Sequence, residues 1–244
     1  MEILRKLDVA ATLVTWRDLR ARPAVCPLCG PSIIIQLQAS ALGVRCLRCS
    51  ASAITMSHVS VLREEVSSLA SLHVYELSAR GPLVNWLRRH AGKVTCSEYF
   101  DGVPAGEIVD GVQCQDVRRL TYAAASFDVC TSTEVFEHVP EDSLGFAELH
   151  RVLRPGGRLI FSVPMSEGEK TIERARLKDG KIENLLPPEY HGDRIRGQGR
   201  VLAYRNYGLD ILDRVRVAGF SDFRFVTPHD RMGRWAQPII VATA

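Results

Sequence analysis

Phe127-Asp128-Val129-Cys130-Thr131-Ser132, Glu134-Val135-Phe136-Glu137-His138-Val139 and Leu153-Arg154-Pro155-Gly156-Gly157-Arg158-Leu159-Ile160-Phe161-Ser162-Val163-Pro164 follow one another in the middle of the chain. Val129 to Thr131 is a short β-prone run. Pro140-Glu141-Asp142-Ser143 then places carboxylate and hydroxyl groups where the amino end of a helix has unpaired N–H groups, so a helix is expected to start near Glu141. Phe146, Leu149, Val152 and Leu153 fall at helical spacing. Pro155-Gly156-Gly157 cannot readily continue a helix, so the chain is expected to stop, turn and enter an apolar strand from Leu159 to Val163. The result is one βαβ unit of a parallel sheet. Ligands in such sheets sit outside the carboxyl ends of the strands, which makes Thr131 to His138 the working edge.

Taken together, Phe-Asp-Val, Glu-His-Val-Pro and Leu-Arg-Pro-Gly-Gly resemble the later motifs of class I S-adenosylmethionine-dependent methyltransferases of the small-molecule, type 11-like kind. The resemblance covers about residues 70 to 244. It implies an α/β fold with a Rossmann-like, doubly wound, seven-stranded sheet, S-adenosyl-L-methionine as cofactor, and a small-molecule acceptor such as a sugar, lipid or natural-product intermediate.

The cofactor half can be followed strand by strand. His73 to Leu77 is strand-like, Glu76 is its acid, and Ser78-Ala79-Arg80-Gly81-Pro82 forms the first turn before a helix containing Val84 and Leu87. Related methyltransferases carry a glycine-rich turn here, whose bare backbone lets the methionine part of the cofactor approach. Only Gly81 remains in this chain, with Ser78 and Arg80 where glycine is expected. Arg80 is read either as a cation recruited to the cofactor carboxylate or as a side chain that points away, and loss of cofactor binding is a third reading. A second strand, Lys93 to Glu98, ends in an acid 22 residues after Glu76. A carboxylate there can accept hydrogen bonds from both ribose hydroxyls, and the resemblance gives that role to Glu98, with Tyr99 beside it. It also places Asp116 on the adenine amine, Val117 on the adenine through its N–H, and Thr133 and Glu134 at the methionine end.

Upstream, Ile3, Leu7, Ala10, Ala11 and Val14 share one helical face, extended by Trp16 and Leu19, which predicts an amphipathic helix over residues 2–20. Cys26-Pro-Leu-Cys29 and Cys46-Leu-Arg-Cys49 follow, separated by sixteen residues that include a β-prone run from Ile33 to Gln38. Each pair can fold as a knuckle aiming two thiolates at one point, so Cys26, Cys29, Cys46 and Cys49 are expected to bind zinc in a zinc ribbon. A redox dithiol pair is the alternative. Four thiolates complete the coordination and leave no position for water or substrate, which makes the expected zinc structural. Residues 1–53 are thus assigned to a helix and ribbon, and 54–244 to the methyltransferase domain, led by a helix over 54–70.

At 244 residues and 46% hydrophobic content, the chain can bury one α/β core and a small appendage, not a large second domain. A net charge of +3 demands no polyanionic partner. No apolar run approaches the ~20 residues that span a bilayer, and the amino-terminal stretch lacks a signal-peptide core, which predicts a cytoplasmic protein. Cys96, Cys114 and Cys130 read as small core residues.

After Pro164 a charged segment, 166–205, interrupts the domain. An insertion of this length is usually functional or disordered, and its Tyr, His and Pro content argues for order. Similar enzymes build the acceptor pocket here, so Tyr190, His191 and Asp193 either line that pocket or belong to a surface loop. Tyr207 to Ala218 is expected to be helical, with Leu209, Ile211, Leu212 and Val215 inward and Gly219 as its cap. Phe223 to Thr227 and Pro238 to Thr243 read as strands.

Methyl transfer from a sulfonium is an in-line displacement, so a base is needed only if the acceptor arrives protonated. His138 is the first candidate base and His191 the second, with a structural contact at the helix entry as the other reading of His138. Two rival functions remain open. One is methylation of ribosomal or transfer RNA with the ribbon gripping nucleic acid. Against it, the ribbon offers Arg45 and Arg48 but no aromatic between Trp16 and Tyr75, and the chain lacks the Asn/Asp-Pro-Pro-aromatic tetrapeptide of amino-directed nucleic-acid methyltransferases. The other is a non-catalytic protein that kept the fold for interaction, supported only by the altered first turn.

Overall fold

A computed structural model of the chain describes residues 15–193, 199–228 and 235–244. It divides into two compact units, the first containing residues up to Ser68 with Arg80–His90 and Val226–Ile239, the second containing Leu69–Ala79, Ala91–Phe225 and Ile240–Ala244.

In the first unit, β1 (Arg20–Cys26), β2 (Gly30–Gln36) and β3 (Val44–Cys46) form an antiparallel sheet in that order. The β1–β2 hairpin closes on the first cysteine pair, where Cys26 faces Gly30, and Gly30 takes the left-handed φ of +80° that a side chain resists. Residues 1–14 of the expected amino-terminal helix lie outside the described residues. Its carboxyl end is not helical: residues 16–18 make a turn, Trp16 is 82% exposed, and Thr15 donates its N–H to the Leu37 carbonyl at 2.8 Å.

Helix α1 (Ala53–Glu65) starts on Ser52, whose hydroxyl accepts the Thr55 N–H at 3.2 Å. It ends short of the expected residue 70 because Val66 turns extended, followed by Ser67 and Ser68, which favour bonding the backbone outside helices. Helix α2 (Pro82–His90) opens on a proline, whose missing N–H costs nothing there. Trp86 of α2 is buried beneath the Arg63 guanidinium, 5.5 Å from the ring centre, and stacks on His90.

The second unit holds the main sheet. Its eight strands run in the order β16 (Ser221–Val226), β17 (Ile239–Thr243), β9 (Leu153–Ser162), β8 (Phe127–Thr133), β4 (His73–Glu76), β5 (Lys93–Glu98), β7 (Val112–Cys114) and β6 (Ile108–Val109). Strands β7, β5, β4, β8 and β9 are parallel to one another, and β17 lies antiparallel on β9. The expected seven-stranded sheet gains β6, a two-residue edge strand folded back on β7. Asp110 and Gly111 join the two with φ of +49° and +78°, the paired left-handed geometry of the tightest hairpin turn.

The core of this unit gathers Tyr75, Phe127, Phe136, Phe146, Phe161, Tyr207 and Ile211. Helix α3 (Asp142–Val152) begins beside Glu141 as expected, and its Phe146 stacks on Phe136 at 4.1 Å between ring centres. Strand β9 starts at Leu153, earlier than the sequence suggested. Pro155-Gly156-Gly157 is not a free turn but a bulge: Phe127 pairs with Leu153 and Val129 with Arg158, and Ala244 exchanges hydrogen bonds with Gly156 and Gly157 at 2.7 and 2.9 Å.

The insertion is ordered into short pairs: β10 (Ile172–Glu173) with β15 (Arg205–Asn206), β11 (Ala175–Lys178) with β12 (Lys181–Asn184), and β13 (Glu189–Asp193) with β14 (Gly199–Ala203). Helix α4 (Ile211–Val217) is shorter than expected because Tyr207 bridges to Met165 and Gly208 packs against the Lys170 backbone. Leu209 is accordingly exposed, while Ile211 and Val215 are buried and Gly219 closes the helix at φ +105°.

A β-carbon on Gly157 would stand 2.8 Å from the Arg154 carbonyl oxygen and 3.0 Å from that of Asp128. Gly157→Ala is expected to destabilise the protein by about 1–3 kcal/mol through overpacking. A denaturant midpoint unchanged from wild type would reject this account of the bulge.

Candidate functional site

The order of strands reverses around β4, with β5 on one side and β8 on the other, and sheets of this kind take their ligands outside the carboxyl ends of the strands at that point. Glu76, Glu98 and Thr133 stand at those ends.

Glu76 is 1% exposed and accepts hydrogen bonds from the Thr131 hydroxyl and the Ser78 N–H. Burial, assisted by the charge of Glu98, outweighs those bonds and pushes its pKa up to about 8. Glu98 is buried as well, and its Oε1 receives the Ala79 N–H at 2.8 Å. This carboxylate therefore fixes the backbone of the first turn as it leaves β4. Ser78 is half-buried in the same unit. Arg80 and Gly81 belong to the other unit, where Arg80 is exposed and Gly81, at φ +110°, accepts the Asn85 N–H.

Further along the edge, Tyr99 is half-buried and Val117 is buried. Asp116 is gripped by Arg118, whose Nη2 stands 2.7 Å from Oδ2 and whose N–H donates to Oδ1 at 3.0 Å. No pattern of spacing marks this partner. Thr133 pairs in register with Ser162. Glu134 sits at a left-handed φ of +54°, held by its N–H on the Ser162 carbonyl and by the Ser162 hydroxyl on its carboxylate at 2.9 Å. Burial and the neighbouring Glu137 carboxylate raise its pKa to about 8.

The structure brings His138 and His191 together, their ring planes at 83° and their centres 5.0 Å apart, although they come from the Phe136–His138 turn and from β13. His138 Nδ1 lies 2.8 Å from the Leu202 carbonyl oxygen, so that nitrogen carries the hydrogen and Nε2 presents its lone pair. His138 Nε2 and His191 Nδ1 stand 3.5 and 3.7 Å from one oxygen of Glu137. Glu137 is 1% exposed, and among the described residues neither of its carboxylate oxygens accepts a hydrogen bond. His191 Nε2 faces Glu189 at 3.2 Å, and the two carboxylates, Glu137 foremost, hold the His191 pKa above its ordinary value. Tyr190 is exposed beside them with the Arg200 guanidinium over its ring, and the Asp193 side chain lies outside the described residues.

Sequence reasoning missed Glu137, Glu189 and Arg205. The Glu134-x-x-Glu137-His138 spacing was the available signal for the first; nothing local marks the others. Arg205, 3% exposed, donates to the carbonyls of Phe136, Val139 and Pro140 at 3.2, 2.6 and 2.6 Å and pairs with Glu173. It thereby staples the loop that carries Glu137 and His138.

In the first unit, the sulfurs of Cys26, Cys29, Cys46 and Cys49 all lie within 4.8 Å of one another. Cys26–Cys49 and Cys29–Cys46 are 3.7 and 3.6 Å apart. Thiolates at about 2.3 Å from a tetrahedral ion lie about 3.8 Å apart, so the donor set fits a metal such as zinc. Burial raises the Cys26 thiol strongly and the Cys29 thiol to about 11. At Cys46 burial also acts upward, but the Ser32 hydroxyl together with backbone N–H groups lowers the pKa to about 6. No helix of the described residues is long and apolar enough to cross a membrane.

Comparison with known proteins agrees with the sheet. Residues 76–161 match the family described as a methyltransferase domain. The chain is 32% identical over 137 residues to a ubiquinone biosynthesis O-methyltransferase of Coxiella burnetii, an alignment covering 52% of this chain and 58% of that protein. It is 40% identical over 53 residues to a malonyl-[acyl-carrier protein] O-methyltransferase of Erwinia billingiae, covering 22% of this chain and 21% of that one. The chain thus spans little more than half the length of the first of these relatives. A crystal structure of an S-adenosylmethionine-dependent methyltransferase from Mesorhizobium loti superposes with a TM-score of 0.50 at 16% identity, over 77% of this chain and 98% of that chain. That likeness is one of fold.

The Glu76 shift has a defined sign. A carboxyl with a pKa of about 8 when folded and about 4.5 when free holds its proton more tightly in the folded state. Its contribution to stability is fully present below about 4.5 and is lost as the pH rises to about 8. Glu76→Gln is expected to flatten part of the fall in Tm across that window, and equal slopes for wild type and variant in a pH series of melts would show Glu76 to be ionised throughout.

Proposed function

We propose that this protein transfers a methyl group from S-adenosylmethionine to an oxygen of a small-molecule acceptor. The observation that carries the reading is the pair of buried acids, Glu76 and Glu98, at the point where the strand order reverses, one of them fastening the first turn. Glu98, with Tyr99 beside it, would take the ribose hydroxyls; Asp116 and the Val117 N–H would hold the adenine; Glu76, Ser78, Thr133 and Glu134 would surround the methionine part. The arrangement suits a donor that is itself positively charged, since a sulfonium and an ammonium compensate acids that burial otherwise keeps neutral.

The cofactor supplies an electrophilic methyl group on sulfur. What the chain supplies is alignment and water exclusion, with the acceptor entering over the insertion, between the donor edge and the two imidazoles. His138 and His191 would act on the acceptor hydroxyl. In the first unit we propose a structural zinc on Cys26, Cys29, Cys46 and Cys49, which would replace a core that so small a module lacks. Gripping nucleic acid is not favoured as its role: Arg45 bonds the Leu42 and Val44 carbonyls and Arg48 the Cys29 carbonyl, so both guanidinium groups are engaged in the fold of the module.

Calorimetric titration with S-adenosylhomocysteine tests the first reading. Binding is expected for the wild type, weakened at least about tenfold in Glu98→Gln through loss of charge-assisted hydrogen bonds. No heat at millimolar ligand would overturn the enzyme reading and favour a non-catalytic protein. For the cysteine cluster, elemental analysis of protein purified without chelator is expected to find one zinc per chain that survives dialysis and is released when the thiols are blocked. Zinc well below stoichiometry would return the four cysteines to redox chemistry.

A further inference from the structure

Glu137 has been drawn out of water without a donor to receive its charge. Its carboxylate is 1% exposed, neither oxygen accepts a hydrogen bond among the described residues, and burying an ion in that condition costs several kcal/mol. The groups that do face it are two imidazole nitrogens, His138 Nε2 at 3.5 Å and His191 Nδ1 at 3.7 Å. Both distances exceed a hydrogen bond, which for charged partners runs to about 2.9 Å.

The outer nitrogens explain what the inner ones present. His138 spends its Nδ1 hydrogen on the Leu202 carbonyl at 2.8 Å, and His191 directs Nε2 to Glu189 at 3.2 Å. In the neutral state each ring therefore turns a lone pair inward, towards a carboxylate that also offers only lone pairs. Three acceptors converging on one buried point repel one another unless a cation stands between them. An imidazole oriented by a carbonyl and another by a carboxylate is the outer arrangement that metal-ligating histidines use. Ligand atoms about 2.1 Å from a tetrahedral ion lie about 3.4 Å apart, close to the separations observed. All three ligand atoms lie within 4.8 Å of one another.

We propose that Glu137, His138 and His191 form a second metal centre, for a divalent transition-metal ion, distinct from the cysteine cluster. Two nitrogens and one carboxylate oxygen suit manganese, ferrous iron, cobalt or zinc, and not calcium or magnesium, which prefer oxygen alone. Three protein ligands leave coordination positions open. Glu134, whose carboxylate is near enough to Glu137 to feel its charge, borders the same point and would strengthen the pull on a cation. If the proposed methyl transfer is correct, on which this part rests, the open positions receive the acceptor's oxygen and hold it facing the donor edge. The two histidines then act on the acceptor as ligands of the ion that binds it, and not as free bases.

Cobalt(II) is a probe that distinguishes the two centres in one protein. With the cysteine cluster filled by zinc, full-length protein is titrated with cobalt(II) and followed by calorimetry and visible absorption. One further equivalent is expected to bind, with d–d bands and without the thiolate-to-cobalt charge transfer that cysteine ligation would add. Half-buried His191 can be replaced with little risk to folding, so His191→Ala is expected to weaken this site by at least about tenfold, as is Glu137→Gln, while zinc on the cysteines is retained. Saturation unaffected by either substitution, or no cobalt bound at all, would overturn the proposal and leave protonated imidazoles as the partners of Glu137. Titration of the same samples with S-adenosylhomocysteine separates the two readings: cobalt bound without the cofactor product keeps the metal centre and removes the enzyme, and the converse keeps the enzyme and removes the metal centre.

Discussion

Arg205 is the constraint on which the Phe136–His138 turn depends. Its guanidinium is nearly inaccessible to water and reaches three carbonyl groups, those of Phe136, Val139 and Pro140, while Glu173 and Asp142 lie against the same charge. Those carbonyls belong to the stretch between β8 and α3, which has too few residues to satisfy its own backbone. A loop buried without partners would be expensive, and here one planar group with five donors meets the need. Tyr207 adds its hydroxyl to Asp142 at 2.8 Å, and Arg214 pairs with both Asp142 and Glu173, so the start of α3 and the end of the insertion are bound into one polar network. Asp142 and Arg205 lie at its buried centre while Glu173 and Arg214 reach water, so the inner charges are each answered by a partner, the condition under which buried charge fixes a conformation.

That arrangement gives the insertion two roles at once. Its last residues hold the Phe136–His138 turn from behind, while Tyr204 donates its N–H to the Glu137 carbonyl and the Leu202 carbonyl takes the His138 ring. The preceding strand β13 brings His191 to the front of the same turn. An imidazole more than fifty positions downstream in sequence is thereby brought to 5.0 Å, between ring centres, from the one on the turn itself. The segment that the sequence marks only as charged and long is the element that decides the geometry around Glu137 and His138.

What could be read in the sequence follows from how local each cause is. The strands around Val74, Val94 and Val129 and the helix after Glu141 announce themselves because apolar spacing and capping groups act within a few residues. The eighth strand did not: Ile108-Val109 is too short to carry a pattern, and only the Asp110-Gly111 pair, a turn signal, pointed to it. The first turn was legible as unusual, but its fastening by Glu98 was not, since that bond joins residues nineteen apart on neighbouring strands. His138 and His191 were each visible as titratable groups, yet their pairing across Glu137 depends on β13 folding back, which no periodicity encodes. Arg205 sat unnoticed among the many arginines of a charged segment, because a buried cation and a solvated one look identical in sequence.

Two buried glutamates solve opposite electrostatic problems. At the end of β4, Glu76 is neutralised in place: burial raises its pKa to about 8, so near neutral pH it carries a proton and buries no charge. After β8, Glu137 has imidazole nitrogens in place of hydroxyl and amide donors, and these can answer a negative charge only by taking up protons or by sharing a metal ion with it. In the methyl transfer proposed above, positive charge collected around Glu137 would draw an acceptor hydroxyl towards its anion, while the uncharged Glu76 would leave room for a sulfonium. The residue that separates the two regimes is Glu134, whose left-handed backbone turns the chain from β8 towards the histidines and whose pKa, also about 8, responds to both burial and Glu137.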